Sequence, residues 1–237
     1  MTAILTPPAP LAAPPSRLKS IQIGSRWTIP TTVVDLDSFR AWVKSDAFPE
    51  KARAAWLDGQ LWVDPDMEQA FSHNDVKGEI GSVLRGVARD ANLGRFFVDG
   101  MLLCIPPHGF ATGPDGLFLR FTTIQSGRVR MNPNSGTVGV VEIEGVPDMV
   151  LEVVSDSSVG KDTITLPQLH HAAGTPEFWR VDARRGLTFE ILRHDPSGYV
   201  PTLLPDGWWH SDVFGHDFRL RQEADPMGQP EYFLDVR

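Results

Sequence analysis

Residues 146–154, VPDMVLEVV, set two carboxylates into the most apolar run of the chain. Read as a strand, the run alternates its side chains, so Asp148, Val150, Glu152 and Val154 share one face and Met149, Leu151 and Val153 the other. Acids in such a strand are costly to bury unless they are paired, protonated or bound to a cation. Asp148 and Glu152 cannot serve one ion together, because four strand residues span about 13 Å at about 3.3 Å each. A partner for Glu152 must come from an adjacent strand, about 4.8 Å away. Asp115, which precedes an apolar strand in GPDGLFLRF, is the natural candidate. Two carboxylates are hard oxygen ligands and favour Mg²⁺ or Mn²⁺ over zinc. Asp148, directly after Pro147 at the strand entrance, reads as a structural acid.

The elements that must position this pair can be read from periodicity. LDSFRAWVKSDA (36–47) carries Leu36, Phe39, Trp42 and Val43 at helical spacing, with Asp37 or Ser38 near its start. Asp58-Gly59 between apolar runs signals a hairpin. Val76, Ile80, Val83, Leu84 and Val87 form a second helical stripe, with Ser72 as its expected N-cap and Gly94 as its terminator. Glu79 lies on that helix's polar side and reads as solvated. Residues 124–136 read as a turn-rich loop, and 161–174 as a helix that Pro167 must start or kink. FWRVDA, LTFEILRH and YVPTLLP read as three successive strands. The order of elements implies an α/β fold with a mixed β-sheet flanked by helices and additional C-terminal strands. The expected division is a flexible Pro/Ala-rich tail over 1–20, one domain over 21–221 and a C-terminal extension over 222–237.

Composition narrows the function classes. Twenty-two Lys and Arg against 30 Asp and Glu leave a net charge of −8, which argues against indiscriminate binding to nucleic acid. The single cysteine, Cys104, lies in the apolar run MLLCIPP, reads as buried, and fits a reducing cytoplasm. No stretch approaches the roughly 20 apolar residues of a membrane span. A phosphate loop ending in GKD would need glycine at Ser155 and a hydroxyl at Asp162, and no nucleophile elbow is present. Adjacent His170 and His171 diverge by about 100° on a helix and do not read as joint metal ligands.

The series LDGQLWV, SHNDVKGEI, GPDGLFL, EGVPDMVLEVVSDSS, KDT and AAGTPEFWRVDA resembles the Uma-two family of restriction-endonuclease-like proteins, within the PD-(D/E)XK nuclease superfamily. The resemblance covers about residues 36–220. It implies a restriction-endonuclease-like core in which Asp115 and Glu152 are the motif acids. The backbone carbonyl of Val153 would complete the coordination of Mg²⁺ or Mn²⁺. It also implies hydrolysis of phosphodiester bonds, with DNA as the expected substrate. The superfamily needs a lysine, commonly two residues after the glutamate, where this chain has Val154. Many relatives take it from the following helix, where Leu166 stands. Lys161 is the nearest available cation, with Lys77 a weaker substitute, and His73 is a candidate neighbour of the metal or phosphate. The missing lysine and the acidic charge keep a second reading open, a weakened nuclease-fold protein that binds nucleic acid or protein. A homodimer is compatible with either reading.

Overall fold

The computed structural model describes residues 20–23, 27–49, 52–64, 69–133 and 139–237. The expected tail lies outside these residues except for Ser20. Strands β1 (Ser20–Ile23) and β2 (Trp27–Pro30) form an antiparallel ribbon. Helix α1 (Leu36–Val43) starts one turn before Ser38: the Asp35 carboxylate accepts from the Ser38 N–H at 2.8 Å, and Ser38 Oγ accepts from the Asp35 N–H at 3.0 Å. This reciprocal cap satisfies two N–H groups that helix geometry leaves over. Strands β3 (Arg53–Leu57) and β4 (Gln60–Asp64) form the expected hairpin, with Asp58 and Gly59 both at positive φ. That is the backbone of a type I′ turn, whose twist matches the strands.

The second helical stripe corrects two expectations. Ser72 is not its N-cap: a wide π-helical turn, Ala70–Asp75, runs directly into α2 (Val76–Asp90), and Gln69 caps it through Ser72 N–H. Gly94 does not end it either. The helix stops at Asp90, Asn92 takes the left-handed turn, and Gly94 opens strand β5 (Gly94–Val98). There a Cβ would lie 2.0 Å from the Leu119 carbonyl oxygen, so the glycine permits a close strand approach. Glu79 is tied down as well, since its Oε1 accepts from the Leu234 N–H at 2.9 Å.

Strands β6 (Leu102–Ile105), β7 (Phe110–Thr112) and β8 (Gly116–Arg120) lead to a short helix, α3 (Phe121–Gln125). The expected loop over 124–136 instead contains β9 (Val129–Pro133). Alternation of Val129 and Met131 with Arg130 and Asn132 is the period-two signal that turn residues on either side masked. Next come β10 (Val140–Gly145), β11 (Met149–Val153), a second π-helical turn (Lys161–Thr165), and α4 (Leu166–Ala173) with Pro167 in its first turn. Strands β12 (Glu177–Asp182), β13 (Thr188–Asp195) and β14 (Gly198–Pro201) follow as a meander. The chain closes with β15 (Trp209–Ser211), β16 (His216–Ala224) and β17 (Pro230–Val236). The expected boundary at 221/222 falls inside β16.

The fold is mixed α/β, as its sequence implies, but twelve of its seventeen described strands divide between two six-stranded mixed sheets rather than forming one. Their orders are β4-β3-β7-β6-β10-β9 and β14-β13-β12-β11-β8-β5. One apolar layer joins Leu57, Leu103, Phe110 and Ile143 of the first sheet to Leu117, Leu119, Val150 and Phe178 of the second. The opposite face of the second sheet, with Phe118, Leu151, Val153 and Trp179, is covered by Ile80 and Leu84 of α2 and by Phe218 and Leu234 of the C-terminal three-stranded sheet. Strand β11 is therefore central and buried on both faces, parallel to β12 and antiparallel to β8. Cys104 is buried, and that burial pushes its thiol up to about 12. Among the described residues no helix is long and apolar enough to cross a membrane.

His170 fills the inter-sheet layer as a packing group, between the rings of Phe110 and Phe178 at 5.2 and 5.7 Å. Its burial, with the charge of Lys161 adding, holds the imidazole down at about 3 against an ordinary 6.5. The unfolded chain therefore binds one more proton than the folded chain between those values, and stability falls as pH drops below about 6.5. At pH 5 the cost is about 2 kcal/mol. We expect urea denaturation at pH 7.5 and 5.0 to show His170→Phe losing less stability than wild type by about that amount. Equal losses would contradict a neutral buried His170.

Candidate active site

The β8–β11 register pairs Met149 with Phe118, Val150 with Leu117 and Leu151 with Gly116. One further step sets Glu152 opposite Asp115, at the point where β8 begins. Both side chains share the sheet face of Val150, Leu117 and Leu119, so they point toward the layer between the two sheets. Glu152 is 1% exposed and Asp115 7%. Asp148 lies at the far end of β11, where its carboxylate accepts from the Arg120 N–H at 2.7 Å, from Thr123 Oγ1 at 2.8 Å and from Arg128. It pins α3 and the start of β9 to the strand entrance and is saturated there.

The two central acids differ electrostatically. Burial alone would raise Asp115, but His73, Lys77 and the Val153 N–H together outweigh it and hold the carboxyl below its ordinary range. Asp115 Oδ2 accepts from the Val153 N–H at 2.8 Å and lies 3.4 Å from His73 Nε2. Lys77 Nζ lies 3.4 Å from Asp115 Oδ1 and 2.9 Å from Asp99 Oδ2. Asp99 itself sits at φ 36°, a strained backbone for a residue with a Cβ, and its N–H bonds the Asp115 carbonyl. Glu152 is the opposite case. Among the described residues no hydrogen-bond donor reaches its buried Oε1. Burial, with Asp162 and Asp115 adding, pushes its carboxyl well above the usual range against the pull of Lys161 and Lys77.

Lys161 lines the same cavity as Glu152 and Asp115. Its direct partner is Asp162, with Nζ 2.8 Å from Oδ1. Asp162 is 1% exposed and accepts from Ser158 Oγ, which also accepts from the Ser155 N–H at 3.0 Å. Burial raises the Asp162 carboxyl, and Lys161 and Ser158 oppose the rise. Burial lowers Lys161, but Glu152 and Asp162 more than offset it and hold the ammonium charged. Leu166 and Val154 are fully buried apolar residues and supply no cation.

Sequence reasoning did not single out Asp162 or Asp99, and it ranked Lys77 and His73 low. The signal for the last two was present, since residues 73 and 77 stand four apart on one helical face. A lysine–aspartate pair entering an apolar helix was the corresponding cue for Asp162. Both π-helical turns, 70–75 and 161–165, carry site residues, and wide turns inside helices recur at functional positions. Among the described residues no three His, Cys, Asp or Glu side chains form a ready metal cluster. What the cavity presents at its centre is a pair of carboxylates, Asp115 and Glu152, which are hard oxygen groups.

A family model for Uma2, described as a putative restriction endonuclease, matches residues 36–223. The chain belongs to the Uma2 family. Its fold is also similar to the crystal structure of a putative nuclease of the DUF820 group from Anabaena variabilis, at 18% identity and a TM-score of 0.54 over 77% of this chain and 91% of that one. No curated protein matches the chain. For this Uma2 chain the match spans both central acids, Lys161, Asp162 and all six strands of the sheet that carries the pair.

Proposed function

We propose that this Uma2 protein is a divalent-metal-dependent endonuclease that hydrolyses phosphodiester bonds in DNA. The observation that carries this reading is the fully buried Glu152 carboxylate, whose Oε1 meets no donor among the described residues, directly across the strand pair from Asp115. An acid so placed requires a proton or a cation; the ionised Asp115 beside it draws positive charge to the pair, and two adjacent carboxylates can share one divalent ion. Asp115, Glu152 and the Val153 carbonyl would hold Mg²⁺ or Mn²⁺. When bound, such an ion lowers the pKa of a water and offsets charge on the phosphate.

The chain's own residues supply the rest. The Val153 N–H, His73 and Lys77 hold Asp115 ionised and fix its orientation. Lys161, kept charged by Glu152 and Asp162, would stand against the scissile phosphate and stabilise the charge that develops there. Asp162 would act as a positioning residue for that ammonium, held in turn by Ser158.

Incubating the full chain with single-stranded and duplex DNA in Mg²⁺ or Mn²⁺ tests the reading. Cleavage that ends on chelation by EDTA is expected. Intact DNA in every form with both ions would overturn it.

A further inference from the structure

The central acids open onto a cavity of about 370 Å³ whose walls differ in kind. The second sheet and the 161–165 turn contribute Asp115, Glu152 and Lys161. The first sheet and its flanks contribute half-buried apolar side chains, among them Phe48, Trp62 and Val141. This volume falls in the range of pockets that enclose a small molecule, roughly 300–1,000 Å³. Such a pairing of walls matches one nucleotide, with its phosphate against Lys161 and the cation that the carboxylates would hold, and its planar base against apolar and aromatic groups.

The charge of the lining points the same way. Among the described residues it carries five Asp and Glu against three Lys and Arg. One of those cations, Lys44, is committed to Glu142 at 3.1 Å. A protein that tracks duplex DNA through its phosphates needs a surplus of cations. This cavity lacks one, so binding must draw on the base, and a base stacked inside a duplex cannot enter a pocket.

We propose that the cavity takes one unpaired nucleobase, and that the substrate is single-stranded DNA, or duplex DNA whose target nucleotide is already unpaired. This rests on the nuclease reading for the role of the adjoining carboxylates. Stacking on Trp62 supplies part of the affinity, and base–aromatic stacking is tolerant of sequence.

The test is equilibrium binding of a fluorescein-labelled 20-mer, single-stranded or duplex, to the full chain, with hydrolysis of each followed in Mn²⁺. Single strands should bind at least about tenfold more tightly than duplex. Trp62→Ala should remove about tenfold of that affinity, and Trp62→Phe should retain it. If Trp62→Ala does not fold, Val141→Trp fills the cavity from β10 of the same sheet and should produce the same loss. Equal affinity for single strand and duplex, no binding of either, or a folded cavity variant that binds single strands as wild type does would each overturn the assignment. Single-strand binding without hydrolysis would instead sink the nuclease reading and uphold the cavity assignment.

Discussion

Glu152→Gln will abolish DNA cleavage while making the metal-free protein more stable. The amide keeps the shape of the side chain but removes one of two negative charges from the central pair. We expect cleavage to fall by about 10³-fold or more, the scale seen when a preorganised electrostatic group is lost from an active site. Stability should move the other way. Glu152 is buried with one oxygen that no donor among the described residues reaches, and its carboxyl in the folded chain lies well above the ordinary glutamate range. A group whose folded pKa is raised contributes stability that is complete below its unfolded pKa and is lost as pH rises through the folded value. The wild type should therefore weaken as pH rises above the ordinary glutamate range, and Glu152→Gln should not. Thermal melts in EDTA at pH 5 and pH 8, run beside cleavage assays, read both effects. A variant that is inactive and also less stable at pH 8 would mean that Glu152 holds the strand together rather than waiting for a cation. Such opposition of activity and stability is expected where an active site stores an unfavourable charge.

Lys161→Ala should lower kcat/KM by about 10²- to 10³-fold without weakening metal binding. Removing a positive charge from beside two carboxylates can only favour a divalent cation there, so Mn²⁺ affinity should hold or rise. A purely structural lysine would behave differently, because its loss would strand the buried Asp162 and destabilise the chain without a selective effect on turnover. Lys161→Arg keeps the charge but not the compact ammonium, and should recover part of the rate. Unchanged cleavage in Lys161→Ala would remove the residue from the mechanism.

The juxtaposition of Asp115 and Glu152 was legible because it depends on strand geometry. A period of two and a fixed distance between neighbouring strands excluded Asp148 as the partner of Glu152 and required an acid from the next strand. The β8–β11 register brings Asp115 to that position. Hairpin chemistry at Asp58-Gly59 and the apolar stripe of α2 were legible for the same reason, since each is a local property of consecutive residues. The supporting shell was not, because it depends on where helices begin. A π-helical turn before α2 moves the helix start ahead of Ser72 and sets His73 and Lys77 beside Asp115. Another before α4 buries Asp162 and sets it beside Lys161. The first wide turn is capped by Gln69, which is not a residue type that signals a helix start, and the second has no side-chain cap. Gly94 misled for a different reason: its missing Cβ serves an approach to Leu119, a residue 25 positions away, and not the end of its own helix. The division of strands between two sheets likewise rests on long-range pairing, such as the parallel contact between β6 and β10, which no local period encodes.

The claim on which the account turns is that Asp115 and Glu152 hold a divalent cation together, and anomalous diffraction from crystals of the full chain soaked in Mn²⁺ tests it most directly. The account expects a manganese peak within coordination distance, roughly 2.0–2.3 Å, of a carboxylate oxygen of each residue, absent from Glu152→Gln crystals treated identically. A peak that touches neither carboxylate, or a wild-type cavity without manganese at millimolar Mn²⁺, would contradict it.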